Sequence, residues 1–164
     1  MTYAKSLAFV QDSPLSRSMF YRRICSLPTF VDTVSGQIMM TAGSTGAVMM
    51  PTEIAQRVKN ELQRRNVGPC PIIGHPRARA WSYLIRTSDL RPIGDPGAVA
   101  ELWRARVVVV RDGTIVLPTP SPDHHALRTW IVPATTPFRP SGSTVLACVR
   151  HVLDAAKPRT YGPY

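Results

Sequence analysis

The stretch RVVVVRDGTIVL, Arg106 to Leu117, decides the fold class. Val107 to Val110 are four β-branched residues in a row, a side-chain type that packs well on a pleated surface. An apolar run without alternation predicts a central strand buried on both faces. Asp112-Gly113 is a two-residue turn signal, so Thr114 to Leu117 is expected to return as a hairpin partner.

Elements follow outward from this core. Towards the C-terminus, PTPSPDHH is a Pro-rich loop, and RTWIV, Arg128 to Val132, predicts another strand. After the loop PATTPFRPSGS, Ser141 or Ser143 caps a final helix reaching Ala156, with Val145, Val149 and Val152 on its apolar side. Towards the N-terminus, Pro96 to Arg104 predicts a short helix, ending in Leu102 and Trp103, and TSDLRPIGDPG a loop. AWSYLIR, Ala80 to Arg86, and Pro71 to Gly74 read as strands around a His75-Pro76-Arg77 turn. Ile54, Val58 and Leu62 recur every four residues, which makes Thr52 to Asn66 the clearest amphipathic helix. Pro51 suits its first position, Glu53 its first turn, and Gly68-Pro69 its stop. Gln37 to Thr41 and Ala47 to Met50 predict two short strands, with AGSTG as a hairpin turn. A short helix is expected over Met19 to Leu27, with Phe20, Ile24 and Leu27 on one side and Pro28 as its end.

This order predicts an α+β fold: a mixed, largely antiparallel sheet with two longer helices and one or two short ones. At 164 residues the chain suits one domain. A flexible leader is expected over 1–16, a single domain over 17–156, and a flexible tail over 157–164. The opening MTYAKSLAFVQDSP lacks the long apolar region of a signal peptide, and no stretch approaches a membrane span. Cytoplasm is the expected location, with no membrane partner. Cys25, Cys70 and Cys148 are odd in number and far apart, which argues against a zinc site or a disulfide framework.

The formal charge is +10, and seventeen of the twenty cations are Arg. Such a surplus favours polyanions. Arg forks grip phosphate and stack on bases, which suits nucleic acid. An acidic protein partner and a compositional bias without electrostatic role are the other sources of the same charge. Two faces collect the cations. The helix carries Arg57, Lys59, Arg64 and Arg65. The segment 77–86 interleaves Arg77, Arg79, Trp81, Tyr83 and Arg86. On a strand with period two, Arg77, Arg79, Trp81 and Tyr83 share a face, as in grips for single-stranded nucleic acid. The alternative is that Trp81 and Tyr83 are core and the arginines edge it.

Catalytic signals are sparse. Asp123-His124-His125 needs further ligands, such as His75 or His151, to hold a metal, and a solvated loop explains it as well. Ser44 and Ser121 have no nucleophile motif around them. Cys25 lies near Arg22 and Arg23, which favours a thiolate, against a simple buried thiol. GSTG at 43–46 lacks the Lys-Ser/Thr ending of a phosphate loop and reads as a turn. No metal or cofactor is expected.

Three segments carry a resemblance. RVVVVRDGTIVLPTPSPDHHALRTWIV has Arg111, Gly113, Pro118, Ser121 and Trp130 in a strand–turn–strand–Pro/Ser–aromatic strand arrangement. GAVMMPTEIAQRVKNEL is a strand running into a helix, and GHPRARAWSYLI holds a His beside the next strand. Together, over about residues 45–132, they resemble the bifunctional primase/polymerase N-terminal domain of the archaeo-eukaryotic primase superfamily. HPR-x-x-x-W at 75–81 and RTWIVP at 128–133 are also similar to stretches of short actinobacterial proteins. The primase resemblance implies paired acids, holding Mg²⁺, at the end of the strand before the first helix. Met49, Met50 and Pro51 stand there, and neither residue type ligates Mg²⁺. It therefore implies a degenerate, noncatalytic member that binds DNA through its Arg-rich faces. A module docking on a replication or transcription machine such as RNA polymerase is the alternative. An active nucleotidyl transferase using Glu53, Asp112 and Asp123 is the third.

Overall fold

The computed structural model describes residues 12–120 and 127–158. The order is α1 (Pro14–Arg23), β1 (Thr29–Val31), β2 (Ile38–Thr41), β3 (Thr45–Pro51), α2 (Thr52–Arg64), β4 (Ile72–His75), β5 (Ala80–Arg86), α3 (Pro96–Arg104), β6 (Val108–Val110), β7 (Thr114–Val116), β8 (Thr129–Val132) and α4 (Gly142–Ala155). The fold is α+β. Its strands form two antiparallel sheets instead of one, in the orders β1-β2-β7 and β6-β3-β5-β4-β8.

Period-two alternation divides the larger sheet between two cores. Val48, Met50, Ile72, Tyr83 and Ile85 meet Ala55, Val58 and Leu62 of α2 and Val145, Val149 and Val152 of α4. The opposite residues, Ala47, Ile73 and Leu84, meet Ile38, Met40 and Ile115 of the smaller sheet and Tyr21, Cys25 and Leu27 from α1 and the turn after it. Layers therefore run helices, large sheet, small sheet with α1. No helix among the described residues is long and apolar enough to cross a membrane.

The valine run is not a central strand. Its paired part, β6, is the edge of the larger sheet, bonded to β3 alone, and Val108 is 46% exposed. Only Val107 is buried, in the core that α2 and α4 cover. Four valines specify extended backbone but not which neighbours come to lie beside it.

Neither expected hairpin forms. Asp112-Gly113 leads from β6 in one sheet to β7 in the other, and AGSTG leads from β2 to β3 in the same way. Since β2 pairs with β7 and β3 with β6, these four strands are one antiparallel ribbon bent between the sheets. At the bend, residues 42–46 of one chain segment face only 111–113 of the other. Extra residues on one side of a ladder bend and twist it. Gly46 sits in this corner, where a Cβ would lie 2.4 Å from the Val110 carbonyl oxygen. Gly113 takes φ +81°, a conformation glycine adopts freely.

The first helix begins earlier than Met19. Ser13 caps it, Pro14 takes its first position, and Ser13 and Ser16 bond reciprocally. Its three initial residues thus fall within the expected leader. It also faces the other way: Tyr21, Cys25 and Leu27 are buried, while Phe20 and Ile24 are exposed. The orientation is fixed by Tyr21, whose hydroxyl donates to the Pro118 carbonyl at 3.1 Å and accepts from Trp130 Nε1 at 2.8 Å.

Candidate nucleic-acid interface

The end of the larger sheet is open where β3 passes into α2 and β4 turns into β5. A cleft of about 800 Å³ lies there, lined by residues that include Met49, Pro51, Glu53, His75, Arg79, Trp81 and Arg106. Register explains the grouping. Met49 pairs with Ser82, Pro51 with Ala80, and Ala80 with His75, so these side chains share one face of three adjacent strands. His75 Nε2 and Ser82 Oγ are 2.8 Å apart and hydrogen-bonded. Burial, and then the Arg128 guanidinium, push the His75 imidazole below its ordinary value. A neutral imidazole is the result at neutral pH.

Among the described residues that line the cleft, Arg79 and Arg106 are the arginines and Glu53 is the one acid. Neither arginine forms an ion pair among the described residues. Both have positive φ, +49° and +56°. Non-glycine residues occupy this region at a cost of about 1–3 kcal/mol. Only Ser26 and Asn66 share it among the described non-glycine residues. The Arg79 amide donates to the Pro76 carbonyl and the Arg106 amide to the Trp103 carbonyl, closing turns of the same kind. The N-terminus of α2 adds the positive end of a helix dipole, for Pro51 caps it without a side-chain hydrogen bond.

The sequence-derived faces change shape. Arg77 and Arg79 lie in the turn 76–79, not on β5, so they do not alternate with Trp81 and Tyr83. Tyr83 is fully buried, and its hydroxyl donates to the Ala55 carbonyl at 2.6 Å. That excludes it from stacking on a base. Trp81 is half-buried, packed against the helix-side core while bordering the cleft. Arg86 is exposed at the far end of β5, paired with Thr45 and away from the residues that line the cleft. On α2, Arg57 is exposed and Lys59 half-buried, and neither is ion-paired among the described residues.

Arg64 and Arg65 are different. Arg64 forks onto Glu61 through Nε and Nη2, and Arg65 donates through Nε alone, with Nη2 of Arg64 and Nε of Arg65 each 2.7 Å from Oε1. Hydrogen bonds from Arg64 and then Arg65 outweigh burial and hold the Glu61 carboxyl at about 2, against an ordinary 4.5. Two of the four cations expected on this helix face are thus partly neutralised by one acid. The folded state binds the Glu61 proton more weakly than the unfolded chain does. This pair therefore contributes stability above about pH 4.5 that is lost as pH falls toward about 2. Glu61→Gln is expected to flatten that loss. Urea midpoints measured from neutral pH to the acid limit check it.

The remaining candidates separate. Glu53 and His75 line one cleft, Asp112 is exposed outside it, and Asp123 lies outside the described residues, as do His124, His125 and Ser121. Among the described residues, no group of three His, Cys, Asp or Glu is placed to hold a metal ion. Cys25 is buried, its Sγ contacts the Ala134 carbonyl at 3.4 Å, and burial raises its thiol despite Arg139. A raised thiol is not an activated nucleophile. Cys70 is pushed up to about 11, chiefly by burial. Sequence reasoning missed Arg106. Its place in the cleft depends on a turn after α3 that no local pattern announces.

Comparison with models of protein families, with curated proteins and with solved structures gave no match.

Proposed function

We propose that this protein is a noncatalytic, nucleic-acid-associated domain that holds DNA by phosphate contacts in the cleft. The observation that carries this reading is the pair Arg79 and Arg106. Both cations border one cavity, neither is ion-paired among the described residues, and both occupy backbone conformations that stability alone would give to glycine. Strain held at a site is a pointer to function. The resemblance to primase/polymerase domains supports the same location. Of the strand positions implied for metal-binding acids, Met49 and Pro51 border this cleft beside His75, while Met50 is buried in the helix-side core. Among the described residues that line the cleft, Glu53 is the single acid, short of the paired carboxylates that hold Mg²⁺ for phosphoryl transfer.

Binding by this mechanism releases counterions. The logarithm of affinity should fall linearly with the logarithm of salt, by about 0.7–0.9 per phosphate contacted. Titration of labelled single-stranded and duplex DNA across salt concentrations tests this. Absence of binding at low salt overturns the reading.

A second reading, docking on an acidic protein surface, is favoured by one observation. Leu15, Met19, Phe20 and Ile24 of α1 are exposed beside Arg22 and Arg23. A partner retained from native extract after nuclease treatment would favour it.

A further inference from the structure

Trp103 lies in the last turn of α3 with 78% of its surface exposed. An indole of this size usually lies at least partly inside a protein. Here it makes no hydrogen bond and no ring contact among the described residues. Its carbonyl accepts the Arg106 amide at 3.0 Å, so the exposed ring and the cleft arginine belong to one turn. Arg104 lies between them, exposed and without an ion pair among the described residues. Glu101, the one acid of α3, is paired with Lys157 at 2.9 Å. The surface running out of the cleft is therefore cationic and aromatic together.

We infer that Trp103 is a base-stacking platform beside the cleft, and that the ligand is single-stranded nucleic acid. The inference rests on the reading of the cleft as a phosphate site. Duplex DNA keeps its base faces stacked on one another and offers an isolated indole nothing to cover it. An unpaired strand offers both a backbone for Arg79, Arg104 and Arg106 and a free base for the ring. Stacking of this kind tolerates any base, since each has a π-face. A protein surface is the other partner that a bare indole accepts. Arg104 and Arg106, which follow the ring in the same turn and are unpaired among the described residues, favour the polyanion.

The test compares three probes on the full chain: an oligothymidylate, an abasic strand of equal length, and a duplex. The unaltered protein should bind oligothymidylate more tightly than the abasic strand. Trp103→Ala should weaken oligothymidylate binding about tenfold. It should leave the abasic strand, the duplex and the salt slope unchanged, because it removes no charge. Trp103→Phe should retain most of the affinity. If Trp103→Ala binds oligothymidylate like the unaltered protein, or loses all three probes equally, the stacking role fails and the cleft reading survives. If the unaltered protein binds none of the probes at low salt, both fail. A nuclease-resistant protein partner lost in Trp103→Ala also overturns the inference.

Discussion

Replacing Arg79 and Arg106 together by glycine is expected to weaken DNA binding by about a hundredfold at low salt without lowering stability. Each guanidinium contributes one charge-assisted contact, worth about 1.5 kcal/mol or more. The salt slope should fall by about one unit for each arginine removed. Stability should hold because both residues have positive φ, where glycine has no Cβ to clash. Glycine gains entropy in the unfolded chain, which offsets part of that relief. Anisotropy titrations at several salt concentrations and a urea melt of the same preparation check the two halves. Binding that survives the double replacement would move the interface elsewhere, with Arg57 and Lys59 of α2 as the next candidates. A large drop in the urea midpoint would instead make the two turns structural.

Tyr83→Ala is expected to be the most destabilising change at any residue of the sequence-derived interface, at about 3–5 kcal/mol. The side chain is fully buried in the core shared by α2, α4 and the large sheet. Tyr83→Phe keeps the ring and loses one hydrogen bond to Ala55, for about 1 kcal/mol. Neither substitution should alter DNA affinity wherever the variant remains folded. Chemical denaturation with an unchanged m-value, followed by binding at a temperature well below the melt, measures both. A selective loss of binding in Tyr83→Phe would restore this residue to the interface.

Helices and strand extents were readable where a single local signal governs them. The four-residue apolar period placed α2, and α3 spans the expected Pro96 to Arg104, with Asp95 as the cap that the structure adds. Ser141 placed the start of α4 through its hydroxyl, which accepts the Thr144 amide. α1 carried an equally local signal, Ser-Pro followed by Ser16, but the aromatic Met19–Leu27 segment drew the helix boundary away from it. Partner choice between strands was not readable. Asp-Gly and Gly-Ser-Thr-Gly say that the chain turns, not whether it returns to its own sheet. The cleft was half legible for the same reason. Arg79 and Trp81 were marked by composition, whereas Arg106 joined them through pairing of β3 with β6 across more than fifty residues of sequence. Tyr83 reads equally as a stacking residue or as core, because an aromatic on a strand looks the same to both patterns. Burial decides between them, and burial depends on the helices above.

The bent ribbon ties the edges of the two sheets to one another. Its two halves are joined by the same pair of chain segments, so neither sheet closes its edge until residues near 40 have found residues near 115. Contacts of such sequence separation carry a loop-closure entropy that must be met before any ladder bond rewards it. Closing the ribbon is one long-range step that serves both sheets, and it raises the share of contacts that slow folding.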